Sequence, residues 1–259
     1  MVLWGRFAGS RLIGLILALL VVCAGAAHGA ERARQQTLGF SPDGLRFAFI
    51  QWGVGDGLGD PYADVFVLDV PSNSWLSGSP IRIRVPESEV DALWNSTDDP
   101  AQWAYDQALA EAQPLLEASG IVRTDTGTML VRRTVFDRSA PADMVRFTVA
   151  PNSVRDYTIR LTQDQIDNDC DYMDRQPRIF SLILESSSNP PLTLQEDTGL
   201  PESRGCALGY RIHDVIMHRE TFDGPASLVV LLAYSLPGFE GDDIRYLAVS
   251  ARTTILEPF

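Results

Sequence analysis

The chain has 259 residues, 45% of them apolar, with 34 acidic against 21 basic side chains and a formal net charge of −13 at pH 7. This balance argues against nucleic acid as a partner. All 21 basic residues are arginines, which excludes Schiff-base or nucleophilic chemistry at a lysine amine. The apolar share suffices for one sizeable core.

Arg6 and Arg11, the apolar run Leu12 to Val22 and the small residues after it form a secretory signal peptide, assigned to residues 1–30. Ala24-Gly25-Ala26 fits a cleavage site, and cuts a few residues later are also compatible with the sequence. The run is glycine-broken and shorter than the roughly 20 residues a span requires, so no stable membrane span is expected after cleavage. Lipidation at Cys23 is disfavoured because bulky Val22 precedes it. The mature chain, residues 31–259, is expected to be one exported β-rich domain, periplasmic or secreted. It carries 34 acids against 19 arginines.

Ser41-Pro42-Asp43-Gly44 has the residue order of a type I turn and leads into a strand, "LRFAF". A glycine-rich loop, "QWGVGDGLGDPYA", follows, and then "DVFVLDV", a strand with Val65 and Val67 on one face and Phe66, Leu68 and Val70 on the other. "PIRIRVP" alternates Ile81, Ile83 and Val85 against Arg82 and Arg84. Asp99 as N-cap, Pro100 at the first helical position and Gln102 predict a helix that stops at Gly120, with Tyr105, Leu109, Ala112 and Leu116 facing the core. Pro114 is expected to kink its last turn.

Seven strand-like stretches follow, from "TMLVRRTVF" through "RIFSLILES" and "SLVVLLAYSL" to "IRYLAVSART", with a polar loop expected over 186–206. The predicted fold is mainly β (α+β), an antiparallel sandwich or curled sheet with one principal helix. The SPDG hairpin resembles one blade fragment of TolB-type propellers. A propeller would repeat it about every 40 to 45 residues, yet "VPESEVDALW" stands where the second copy belongs, so a complete β-propeller is not expected.

Cys170 and Cys206, the two mature cysteines, are expected to form a disulfide, with buried thiols as the alternative. Asp167, Asp169 and Asp171 match positions 1, 3 and 5 of a calcium loop. Tyr172 and Arg178 then stand where Gly and Glu are required, leaving either a different calcium site or a solvated acidic loop neutralised by Arg175 and Arg178. Asp56, Asp60 and Asp64 admit the same two readings. No other cofactor is indicated, since GxGxxG, the P-loop and HExxH are all absent.

Ser203 lacks the first glycine of a nucleophile elbow. His213 and His218 lie near Asp214 and Glu220, but neighbours in a regular strand point to opposite faces, so His213 and Asp214 form no dyad on adjacency alone. No catalytic residue is assigned. Trp52, Trp75, Trp94 and Trp103 serve either as core or as sugar-stacking platforms.

Taken in order, "LGFSPDGLRFAF", "DGLGDPYADVFVLDV", "CDYMDRQPRIFSLIL", "CALGYRI" and "LPGFEGDDIRYLAVSA" resemble a bacterial family of predicted secreted proteins classed as domain of unknown function 2259. The resemblance implies export and a full-length domain, and it brings no activity or cofactor. The expectation is a non-catalytic envelope module that binds another envelope component through a broad face without a deep polar cleft. The alternatives are a hydrolase of envelope polymers, with two carboxylates, or His213 or His218 with a serine or acid, converging in a pocket, and a calcium-dependent structural module.

Overall fold

The computed structural model describes residues 30–133, 143–150, 153, 155–167 and 175–256. The signal-peptide assignment, save Ala30, and Asp169, Cys170 and Asp171 lie outside them.

Three antiparallel sheets and a helix stack as four layers. The first sheet holds β1 (Arg34–Phe40), β2 (Arg46–Val54), β3 (Pro61–Asp69) and β4 (Ser74–Trp75) in that order, with β5 (Ile81–Arg84) also paired to β3. The middle sheet has the order β13 (Asp242–Thr253), β12 (Ala226–Pro237), β11 (Gly209–His218), β6 (Thr128–Arg132). The third has the order β10 (Leu192–Glu196), β9 (Arg178–Ser186), β8 (Tyr157–Gln165), β7 (Met144–Phe147).

Apolar patterning sets this order. β12, at the centre of the middle sheet, reads "ASLVVLLA" without alternation because both of its faces are covered. Leu228, Val230 and Leu232 pack toward Ile159, Leu182 and Leu184 of the third sheet, while Val229 and Leu231 pack toward Phe47, Phe49 and Phe66 of the first. β3 is also buried on both faces. Val65 and Val67 meet the helical layer, and Phe66, Leu68 and Val70 meet the middle sheet, as the sequence pattern predicts. Layers stacked in this way, unlike radial blades, give the β-rich sandwich class with a third sheet added.

The principal helix is α2, with α1 (Glu87–Trp94) before it and α2 spanning Pro100–Ala118. Asp99 caps α2 by accepting from the Gln102 amide at 3.0 Å. Ala104, Ala108, Ala112 and Leu116 form its buried stripe, and small side chains at this four-residue spacing let the helix lie close on the sheet. Tyr105 and Leu109 flank the stripe, half-buried and packed against the same core. Replacing Asp99 with Ala orphans the Gln102 amide and is expected to cost about 1 kcal/mol, read as a lower urea midpoint with an unchanged slope.

Three stretches depart from the sequence reading. α1 is an extra helix, formed where "ESEVDALW" places Glu87 and Glu89 in a first turn that favours acids. The stretch 186–206, expected as loop, contains β10 and a short 3₁₀ turn, Glu202–Arg204. β1 precedes the SPDG turn and makes it the link of a hairpin with β2.

Candidate functional site

Two polar recesses open between the layers. The first is a cleft of about 580 Å³ at the edges of the three sheets, lined by β3, β4, β5, β13 and the 3₁₀ turn. Its construction follows from the "IRIR" alternation. Ile81 and Ile83 turn toward the helical layer, which leaves Arg82 and Arg84 on the opposite face beside Asp64, Phe66 and Trp75.

Asp64, only 3% exposed, is the carboxylate at the base of this cleft. It accepts from Arg84 Nη2 at 2.7 Å and Gln51 Nε2 at 3.2 Å, while Arg82 Nε stands 3.8 Å away. Gln51 Oε1 in turn accepts from the Tyr246 amide at 2.8 Å. Arg204 and Arg245 complete the lining. Arg204 is tied to buried Asp197 and lies over the Phe180 ring, 4.5 Å from its centroid. Arg245 is tied to Glu31 at 2.6 Å. Burial pushes the Tyr234 and Tyr246 hydroxyls up to about 12, so both remain neutral donors at physiological pH. The cleft is open on one side and mixes these polar groups with Phe66, Leu68, Trp75 and Leu247.

The second recess is a groove of about 710 Å³ lined by Gln35, Gln36 and Thr37 of β1, by Thr126, Gly127, Met129, Arg132 and Arg133, and by His213 and Asp214 of β11. A β-bulge builds it. β11 pairs with β12 as Ile212 opposite Leu232 and then Asp214 opposite Leu231, so His213 is an extra residue. The bulge cancels the alternation that would send neighbours to opposite faces. His213 Nε2 therefore lies 3.8 Å from Asp214 Oδ1, beyond hydrogen-bond length but within ion-pair reach. The expectation that the two side chains point to opposite faces is thus corrected, since both line one groove, though no hydrogen bond joins them as a dyad. Burial pushes the His213 imidazole down and the Asp214 carboxyl up, each against its partner's pull. His213 also packs on Tyr246, with centroids 4.9 Å apart, so that ring is the wall between the groove and the cleft.

His218 has a structural role. Its Nε2 lies 3.0 Å from Asp125 Oδ2, it stacks on Phe40, and it pairs across the sheet with Ser227. This has the composition of a serine triad, but Ser227, 1% exposed, donates its proton to the Gly44 carbonyl at 2.7 Å. His218 and Ser227 clamp the SPDG turn, whose Gly44, at φ +70°, approaches so closely that a Cβ there would lie 2.7 Å from both His218 Nδ1 and Ser227 Oγ. Asp125 was absent from the sequence reading because its partner stands 93 residues away.

The other candidates disperse. Asp56 accepts from the Glu240 amide, and Asp64 belongs to β3, so the glycine-rich loop gathers no carboxylate cluster with Asp60. Asp167 accepts from Gln176 at 2.7 Å, whereas its two companions lie outside the described residues. No group of three metal-ligating side chains exists among the described residues. Cys206 is half-buried, and Cys170 lies outside the described residues. Glu220 is absent from the lining of either recess, while Ser203 lines the cleft. Of the tryptophans only Trp75 lines the cleft. Trp52 packs on Tyr105, Trp103 is half-buried against α2's core, and Trp94 is exposed at the end of α1.

Among the described residues no helix is long and apolar enough to cross a membrane. Comparison with curated proteins and with solved structures gives no match. A family model described as "Predicted secreted protein (DUF2259)" matches residues 48–252, from β2 to β13, and the chain belongs to that family of exported proteins.

Proposed function

We propose that the protein is a non-catalytic exported binding module of the cell envelope, and that its ligand is a saccharide bearing carboxylate or phosphate groups. One observation carries this reading. In a chain of net charge −13, four guanidiniums line one cleft that contains a single carboxylate, Asp64. Arg82 is the least committed of them, half-exposed and 3.8 Å from its nearest acid. Arg84, Arg204 and Arg245 are each paired with an acid, Asp64, Asp197 and Glu31, so what the cleft offers an anionic ligand is oriented guanidinium N–H groups and the half-exposed Arg82 charge. Phe66, Trp75, Tyr234 and Tyr246 supply flat surfaces on which a sugar ring can rest.

The test is calorimetric titration of the exported protein with trigalacturonate, with a phosphorylated trisaccharide, and with maltotriose, a neutral trisaccharide without acetamide groups. Either anionic ligand is expected to bind, with an affinity that falls as salt rises. Arg82→Ala should weaken binding about tenfold, the loss of one charge-assisted contact, with the melting temperature unchanged. Equal binding of the neutral sugar, or an Arg82→Ala variant that binds as before, contradicts the proposal.

The hydrolase reading has the His213–Asp214 pair in its favour. Release of reducing ends from isolated envelope polymer decides it, and turnover that survives His213→Ala ends it.

A further inference from the structure

The groove at the β11 bulge holds two polar atoms without hydrogen-bond partners among the described residues, Asp214 Oδ1 and Gln35 Nε2. Asp214 is 2% exposed. A buried carboxylate oxygen and a buried amide nitrogen left unmade each forfeit the desolvation energy of a polar group, so such atoms are rare in a settled core. Here both line the same recess, and they are opposite in kind. Asp214 Oδ1 accepts, and Gln35 Nε2 donates.

The rest of the lining narrows the chemistry. Apart from Gly127 and Met129 it is polar: Gln36, Thr37, Thr126, Arg132, Arg133 and His213. A group bound here must bring a donor to Asp214 Oδ1 and an acceptor to Gln35 Nε2, and a sugar ring bearing an acetamide carries both. The charges near Asp214 are Arg132, directly opposite on β6, Arg133 beside it and His213 on its own strand, while Tyr246 packs behind His213. Guanidiniums at the rim disfavour a cation.

We infer that the β11 groove is a binding site for a neutral N-acetylated sugar, with a ring hydroxyl donating to Asp214 Oδ1 and an acetamide carbonyl accepting from Gln35 Nε2. One ligand then satisfies both orphaned atoms. The site is separate from the arginine cleft, with Tyr246 between them, and does not rest on the cleft reading.

The strand bulge gives the site a physical rationale. A regular strand would turn His213 or Asp214 away, and the extra residue aims both at the groove. Burying this carboxylate also costs stability, because burial outweighs the pull of His213, Arg132 and the Arg133 amide. Its carboxyl pKa is raised on folding, so this cost is absent below the unfolded-chain pKa and grows as pH rises through the folded value. Replacing a residue kept for binding should therefore not weaken the fold.

The experiment is titration of triacetylchitotriose into the exported protein and into Asp214→Ala, Gln35→Leu and Arg82→Ala variants, with a thermal melt of each at pH 7.5. Saturable binding is expected in the parent and in Arg82→Ala. Affinity should fall at least about tenfold in each groove variant. The melting temperature of Asp214→Ala should equal or exceed that of the parent. Failure of the trisaccharide to bind the parent overturns the inference, as does binding that survives both groove substitutions. If Asp214→Ala instead melts well below the parent, the carboxylate is structural and the inference also fails. Gln35→Leu keeps the binding arm readable in that event.

Discussion

Leu231→Ala and Leu232→Ala, made separately, are each expected to lower stability by about 3 kcal/mol, seen as melting points about 9 °C below the parent. Both leucines are fully buried. They are neighbours on β12 and face different sheets, Leu231 the first and Leu232 the third. In a sheet with one solvated face, one of two adjacent substitutions would be nearly silent, within about 0.5 kcal/mol. Equal losses are therefore the energetic signature of a middle sheet covered on both sides. A silent Leu231→Ala or Leu232→Ala in urea unfolding would remove one of the two outer sheets from the account.

The second large effect concerns Glu31, just ahead of β1. Glu31 is 9% exposed and held by distant residues. Its carboxylate accepts from the Tyr62 hydroxyl and pairs with Arg245 at 2.6 Å, while its amide donates to Asp243 Oδ1 at 3.0 Å. Arg245 lies over the Tyr62 ring, 4.5 Å from its centroid. Burial holds both the Glu31 and the Asp243 carboxyls above their ordinary range, against the pull of Arg245.

Arg245→Met leaves those two carboxylates without their cation and is expected to cost about 3 kcal/mol at pH 8, the lower end for breaking a buried pair. Without Arg245 their folded-state pKa values rise further above the unfolded ones. The folded variant then binds more protons than the unfolded chain, so its penalty shrinks as pH falls. Denaturant midpoints at pH 8 and pH 5 should show the gap between parent and variant narrowing at the lower pH. A gap that is constant with pH would mean that packing of the Arg245 stem, rather than charge, supplies the stabilisation.

How much of this was legible in the sequence depended on the range of the interactions involved. The Asp99-Pro100 start of α2 was legible because its cap bond joins residues three apart. The two faces of β3 and the "IRIR" alternation were legible because period-two patterning is local, although it could not say that Arg82 and Arg84 face a cleft. The His213 bulge was hidden because it exists only in the register with β12, and nothing in "YRIHDVIM" marks the extra residue. The Glu31–Arg245 pair and the Asp125–His218 contact join residues 214 and 93 apart, which no spacing rule reaches. β10 was concealed by the Ser, Asn, Pro and Gly around it, since "LTLQE" is a five-residue strand inside a stretch of turn formers.

The central claim is that the arginine cleft is where this exported protein meets its ligand. Nitrogen-labelled protein titrated with trigalacturonate and the phosphorylated trisaccharide, and followed at the Arg82 and Arg84 side-chain Nε–H signals and the Trp75 indole N–H, tests it directly. The account predicts that all three move together and saturate with an active anionic ligand, while the His213 ring signals shift far less. Saturable shifts confined to other surfaces, or no shift at those three groups with either ligand, would contradict it.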